Sequence, residues 1–351
     1  MSKGGARHTT LYRAYRPQTF DEVRGQEHIV KVLEAAIKNK KTAHAYLFVG
    51  SRGTGKTSVA RILARELGVS DKDLYEIDAA SHTGVDNIRE LREGANVMPF
   101  DSPYKFYIID EAHMLSKGAW NAFLKTLEEP PEHVIFVLAT TDRDKVPDTI
   151  QSRCEIYSFK QPTREVLARV ITDVAKKEGF AIERAAAELV ALLAEGSFRD
   201  ALSILQKVLT VSKDKKVDIT EVEEVSGAPR GELVRQLLKA LSEKDASAAL
   251  AVIRTAVKDN LDPRTLTKIL IHRMRVVLLL RYAPDLAKSL GEELTDADMS
   301  LAKEISKNPG VTSDTLRQLL EAYGTMAYAA VPHLPLELAI IDITQKGGVD
   351  K

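Results

Sequence analysis

The chain has 351 residues, more than one hydrophobic core usually organises, so two or three domains are expected. It is 44% hydrophobic and 28% charged, as globular proteins are, and its 50 basic residues balance 50 acidic ones. That balance excludes a protein-wide attraction to nucleic acid, so any DNA binding has to come from local patches. The single cysteine, Cys154, excludes an internal disulfide, and no Cys/His cluster offers the four ligands of a structural zinc site. A reducing, cytoplasmic setting is expected. The N-terminal stretch "MSKGGARHTTLYRAYRP" lacks the apolar centre of a signal peptide, and no apolar run reaches membrane-spanning length, so no membrane partner is expected.

Up to residue 160 the chain alternates short β-rich apolar runs with amphipathic helical stretches, the pattern of an α/β domain with a helix-covered parallel sheet. Five strands are expected: "AYLFV" (45–49), "LYEI" (74–77), "KFYIID" (105–110), "VIFVLAT" (134–140) and "EIYSF" (155–159). Among the helices, "SKGAWNAFLKTLEE" starts from a Ser116 cap and stops at Pro130 and Pro131. From residue 163 the β-rich runs disappear, and "TREVLARVITDVAKKEGF", "ERAAAELVALLAEGS" and "FRDALSILQKVLTV" predict a small three-helix domain over 161–226. Glycine and proline in "SGAPRGE" mark a weaker break, after which residues 227–351 read as a further all-α domain without a chemical motif.

"GSRGTGKT" fits G-x-x-x-x-G-K-[ST] and sits after a strand and before the amphipathic helix "SVARILAREL". Gly50, Ser51, Arg52, Gly53, Thr54, Gly55, Lys56, Thr57 and Ser58 are therefore candidates for binding nucleotide phosphates through backbone N–H groups and the helix N-terminus. Lys56 is expected to reach the β- and γ-phosphates and Thr57 to ligate Mg²⁺. "FYIIDEAH" (106–113) then ends an apolar strand in two carboxylates: Asp110, placed to hold Mg²⁺, and Glu111, placed to orient or deprotonate an attacking water. Phosphoryl transfer also calls for cations around the developing charge. Arg153, just before the last strand, and Arg199, at the start of a helix in "GSFRDAL", are the candidates, although by spacing alone either is equally an ordinary surface ion-pair partner. Cys154 has no base or metal partner in its motif and is read as a small, buried side chain. His113, which has no spaced metal partner, His44 and Trp120 are read as packing or capping residues.

Taken together, "LYRAYRPQTFDEVRGQEHIV", "GSRGTGKTSVARILAREL", "LYEIDAASHTGVDNIRELRE", "FYIIDEAHMLSKGAWNAFLKTLEEPPEHVIFVLATTDRDKVPDTIQSRC" and "GSFRDAL" resemble the gamma/tau family of bacterial DNA polymerase III subunits, the AAA+ ATPases of the clamp loader. The resemblance is dense over residues 11 to about 210 and implies an AAA+ P-loop ATPase domain (1–160), a helical lid (161–226) and an all-α collar (227–351). It implies ATP and Mg²⁺ as cofactors, and a pentamer with delta- and delta-prime-like subunits that opens the β sliding clamp and loads it onto primer-template DNA. Under it, Arg153 of the "SRC" motif looks like a finger reaching the neighbouring subunit's ATP, and Arg199 resembles a lid sensor for its own subunit's γ-phosphate. Thr141, with Thr140 as fallback, resembles the first sensor. Arg16, Pro17, Val23 and Arg24 look like the wall of the adenine pocket. Thr83, Arg89 and Lys145 match positions facing DNA phosphates, contacts that follow shape without reading bases.

The chain departs from the family pattern at "RELGVSDKDLYEIDAAS", which runs straight through where gamma/tau proteins usually carry a four-cysteine zinc module, so no zinc is expected. The shortened insert is similar to replication factor C small subunits. The sequence stops at "TQKGGVDK", without the long extension of the tau form. A nucleotide-gated structural subunit, a replication factor C-like subunit and another AAA+ DNA motor, such as a branch-migration ATPase, stay open as alternatives.

Overall fold

The computed structural model describes residues 10–81, 84–285 and 294–345. The chain divides into two compact units, Met1–Leu167 with Ala194–Ser203 and Ala168–Leu193 with Ile204–Lys351.

The first unit opens with a short helix, α1 (Leu11–Ala14), and is built on a five-stranded parallel sheet. The strands are β1 (Ala45–Val49), β2 (Leu74–Asp78), β3 (Lys105–Asp110), β4 (Val134–Thr140) and β5 (Glu155–Ser158), in the spatial order β2-β3-β4-β1-β5. All five strands expected from the sequence are present, β2 running one residue longer and β5 one shorter. Every residue of β4 is buried, because helices cover both faces of the sheet, and a strand buried on both faces reads as an unbroken apolar run.

Successive side chains in a strand point to opposite faces, which sorts the core into two layers. Leu47, Ile109, Phe136 and Leu138 pack with Ile88 and Leu91 of one helix and Trp120 and Phe123 of another. Tyr46, Phe48, Ile108 and Val137 pack on the other face with Ile29, Leu33, Ile62 and Leu63. The helices involved are α2 (Glu27–Lys38), α3 (Lys56–Glu66), α4 (Val85–Ala95) and α5 (Lys117–Glu128), with a single turn, α6 (Asp148–Gln151), before β5. Ser116 caps α5 as expected, accepting a hydrogen bond from Ala119 N–H at 3.2 Å. Trp120 is a core residue.

The three helices read after residue 163 are α7 (Arg164–Lys177), α8 (Arg184–Leu193) and α9 (Phe198–Val211). The sequence reading missed a parallel pair of two-residue strands, β6 (Ala181–Ile182) with β7 (Lys216–Val217), and α10 (Ile219–Ser226), whose Asp218 cap accepts from Glu221 N–H at 2.9 Å.

The remainder of the second unit is helical: α11 (Gly231–Ser242), α12 (Ala246–Lys258), α13 (Pro263–Tyr282) and helices over Asp296–Ser306, Ser313–Thr325 and Leu334–Gln345. Its buried charge is compensated. Asp298, with a side chain only 4% exposed, is held by Arg235 at 3.1 Å and Arg273 at 2.7 Å. No helix among the described residues is long and apolar enough to cross a membrane.

Candidate active site

Strand order positions the site. β4 lies between β3 and β1, so Thr140 and Thr141, at the end of β4, fall between the loop that follows β1 and the carboxylates that end β3. In a parallel α/β sheet this carboxyl edge is where ligands bind. The Gly50 N–H donates to Thr140 O at 3.1 Å, fixing the start of the loop to β4.

The loop Gly50–Gly55 turns through left-handed conformations at Gly53 (φ 75°) and Gly55 (φ 102°), where a side chain would be strained. Gly53 is also a close-approach site: a Cβ there would come within 2.0 Å of Ser197 Oγ, and its carbonyl accepts from Phe198 N–H at 3.0 Å. A Cβ on Gly55 would instead meet nothing within 4 Å, so the loop is open on that side, ahead of the N-terminus of α3. Arg52 is exposed, and Ser58 lies in the first turn of α3. The Ser51 hydroxyl is buried and has no protein partner, while Thr54 closes the turn by donating to Ser51 O at 2.9 Å. These features fit a group rich in acceptor oxygens.

Lys56 is 6% exposed, and its ammonium donates to Gly50 O at 2.6 Å and Ser51 O at 3.0 Å. Burial lowers its pKa, and the nearby Glu111 and Asp110 charges act in the opposite direction. Thr57 Oγ1 donates to Asp110 Oδ2 at 2.9 Å, and the other Asp110 oxygen accepts from Glu111 N–H at 3.0 Å. A hydroxyl beside a carboxylate, behind a phosphate loop, is a donor set that suits Mg²⁺, a hard cation that prefers oxygen ligands.

Glu111 itself has φ 47°, an uncommon conformation for a residue with a side chain. Its Oε2 accepts from Thr141 Oγ1 at 3.2 Å. Thr140 is fully buried and turned elsewhere: its hydroxyl donates to Asp142 O at 2.9 Å and lies 3.1 Å from His113 Nδ1. Of the two threonines, Thr141 is the one beside the carboxylate.

The remaining candidates lie around this centre or away from it. Arg16 is half-buried; burial lowers its pKa, followed by repulsion from Arg61, while Asp110 is among the charges acting in the opposite direction. Pro17 is half-buried, Val23 packs in the sheet core, and Arg24 donates to Asp21 O at 3.1 Å. The Arg199 guanidinium stands 5.1 Å from the Tyr12 ring centroid, in cation–π range. Arg153 donates to Thr149 O at 2.7 Å and pairs with Glu128 at 2.7 Å, so its bonds do not reach the phosphate loop. Arg89 pairs with Asp86 at 2.9 Å and Lys145 with Asp142 at 3.1 Å, both exposed; Thr83 lies outside the described residues.

Two side chains close to the site escaped the sequence reading. Gln26, fully buried, accepts from Lys160 N–H at 3.1 Å and donates to Lys160 O at 2.7 Å and Thr54 O at 3.4 Å, tying the phosphate loop to the end of the sheet. His113, read as a packing residue, lies 3.4 Å from Glu111 Oε2. The only signal for it was its place two residues after Glu111 in the 3₁₀ turn Ala112–Met114.

Known proteins share this architecture. Residues 25–74 and 69–163 match a family model described as DNA polymerase III, delta subunit, and residues 167–214 match the DNA polymerase III clamp loader subunit, ATPase lid domain. Among solved structures, the Thermotoga maritima RuvB Holliday junction branch migration motor is similar, at 26% identity and a TM-score of 0.53, over 65% of this chain and 80% of that one. Among curated relatives, the DNA polymerase III subunit tau of Bacillus subtilis is 38% identical over 95% of this chain, which spans 63% of that relative's length. The DNA polymerase III subunit gamma of Buchnera aphidicola is 36% identical over 76% of this chain and 78% of its own length. A glycine-rich loop and a carboxylate-ended strand on an AAA+ sheet, a matching lid and relatives of this extent lead to one family: the chain belongs to the gamma/tau subunits of DNA polymerase III.

Proposed function

We propose that the chain is the ATP-hydrolysing motor subunit of a DNA polymerase III clamp loader, working in a pentamer with delta- and delta-prime-like subunits to open a β sliding clamp and place it on primer-template DNA. The observation that carries this reading is the convergence of Lys56, the Thr57–Asp110 pair and the Thr141–Glu111 pair at one edge of the sheet. Family membership supports the partners and the DNA substrate.

In this reading the loop N–H groups and Lys56 hold the phosphates of ATP, and Arg16, Pro17, Val23 and Arg24 border the base. Thr57 and Asp110 hold Mg²⁺, which when bound offsets charge on the phosphate oxygens. Glu111 takes the proton of the attacking water as the γ-phosphorus–oxygen bond to the departing ADP breaks. Thr141 and Arg199 sense the γ-phosphate in the same subunit. Arg153 serves the ATP of the neighbouring subunit, consistent with bonds that run along its own surface to Thr149 and Glu128. Arg89, Lys145 and Thr83 face DNA phosphates. Activity then requires assembly, and the domain roles are ATPase (1–160), lid (161–226) and collar (227–351).

Two substitutions test the division of labour. Lys56→Ala is expected to weaken nucleotide binding at its own site by at least about tenfold, whereas Arg153→Ala is expected to leave binding near wild type and slow hydrolysis in the assembled complex by roughly a hundredfold. Full ATPase from an isolated monomer, unchanged by Arg153→Ala, would refute the finger in trans.

A further inference from the structure

We infer that His113 is a positioning residue for Glu111, holding one carboxylate oxygen so that the other is left to collect the proton from water. The inference rests on the ATPase reading above and assigns within it a residue that neither the motif nor the family resemblance singled out.

Hydrogen-bond accounting around Thr140 fixes the imidazole tautomer. The Thr140 hydroxyl has one proton. Asp142 O, a carbonyl and therefore only an acceptor, lies 2.9 Å from Thr140 Oγ1, so that proton points to Asp142. The same oxygen accepts from Asp142 N–H at 3.0 Å and has one lone pair left. His113 Nδ1, 3.1 Å away, must then be the donor, so the imidazole carries its proton on Nδ1 whether neutral or charged.

His113 Nδ1 also stands 3.4 Å from Glu111 Oε2, at ion-pair distance but without hydrogen-bond geometry, and that oxygen accepts from Thr141 Oγ1 at 3.2 Å. Glu111 Oε2 thus has one hydrogen-bond donor, Thr141, with the His113 ring nitrogen beside it. Oε1 has no hydrogen-bond partner among the described residues, and the Glu111 side chain keeps 32% of its surface exposed. The His113 side chain, 11% exposed, has little freedom to move off this station. One ring nitrogen, hydrogen-bonded to the Thr140–Asp142 turn, therefore stands against the carboxylate. It fixes which carboxylate oxygen faces water, and it ties the orientation of Glu111 to the turn that carries Thr141. Burial of Thr140 and the left-handed backbone at Glu111 over-determine the arrangement.

The test exploits the positions of amide nitrogens in substitutes for histidine: asparagine presents N–H close to the Nδ1 position, glutamine close to Nε2. In the full chain assembled with its clamp-loader partners, His113→Asn is expected to keep kcat within about threefold of wild type. His113→Gln and His113→Leu are expected to lower kcat at least about tenfold, with KM and the affinity for a non-hydrolysable ATP analogue unchanged within about threefold. In a Glu111→Gln background, His113→Gln should lower kcat no further, because the residue acts through Glu111. Equal activity of the Asn and Gln variants, or a loss that is additive with Glu111→Gln, overturns the positioning role. An inactive wild-type complex, or full turnover by Glu111→Gln, would instead overturn the ATPase reading itself. Thermal melting of each variant separates a folding defect from a kinetic one, and the Asn–Gln contrast is read between two polar variants of similar melting temperature.

Discussion

At the scale of single residues, Cys154 and Arg153 stand side by side with opposite fates. Cys154 packs against the core layer of α4 and α5, and burial pushes its thiol from 9.0 up to about 12. A thiol held neutral in this way is a poor nucleophile. Its contribution to stability is fully present below the unfolded thiol's pKa and is lost as pH rises through the folded one. Thiol reagents at pH 8 are therefore expected to label native protein at least about tenfold more slowly than unfolded protein, and Cys154→Ser to keep ATPase activity. Equal labelling rates, or an inactive serine variant, would restore Cys154 as a chemical residue. Arg153 keeps its polar head at the surface, with a side chain 34% exposed. The loop lysine and both carboxylates were legible in the sequence because their motifs are local. His113 was not, since Thr140 ends β4 and Glu111 follows β3, and the two come near it only through the adjacency of those strands.

At the scale of elements, the sheet was legible because helices cover both faces, so each central strand is a short continuous apolar run between turn residues. The elements that were missed lacked that signal. β6 and β7 are two residues each, too short for any periodicity, and α10, "ITEVEEVS", carries acidic residues between its apolar ones. The run "ELVRQLLKALSEKDASAALAVIRTAVKD" is two helices, α11 and α12. They are separated at Lys244, which adopts φ 61° with no glycine to announce it, and Asp245 then caps α12 through Ala248 N–H at 2.9 Å. The phosphate loop makes a sharper element-level claim. Gly53→Ala would place a methyl within 2.0 Å of Ser197 Oγ at a φ that disfavours it. It is expected to cost at least about 1 kcal/mol of stability and to weaken nucleotide binding, measured by denaturant melts and nucleotide titration. A neutral effect would mean that the contact between the loop and Ser197 is dispensable.

At the scale of the whole molecule, balanced charge leaves DNA engagement to local features. The basic side chains proposed for it, Arg89 and Lys145, each sit beside an acidic neighbour that must yield to a phosphate. The chain spans 63% of the length of its Bacillus subtilis relative, and both the nucleotide chemistry of the domains described here and the assembly of the complex are proposed. Those two parts meet in one claim, that hydrolysis is coupled to clamp and DNA. Its most direct test is the steady-state ATPase rate of the assembled complex with and without a β sliding clamp plus primed DNA. Stimulation of at least about tenfold, abolished by Lys56→Ala, is predicted for a motor. A rate indifferent to clamp and DNA would contradict the account and leave a subunit in which nucleotide only fixes assembly.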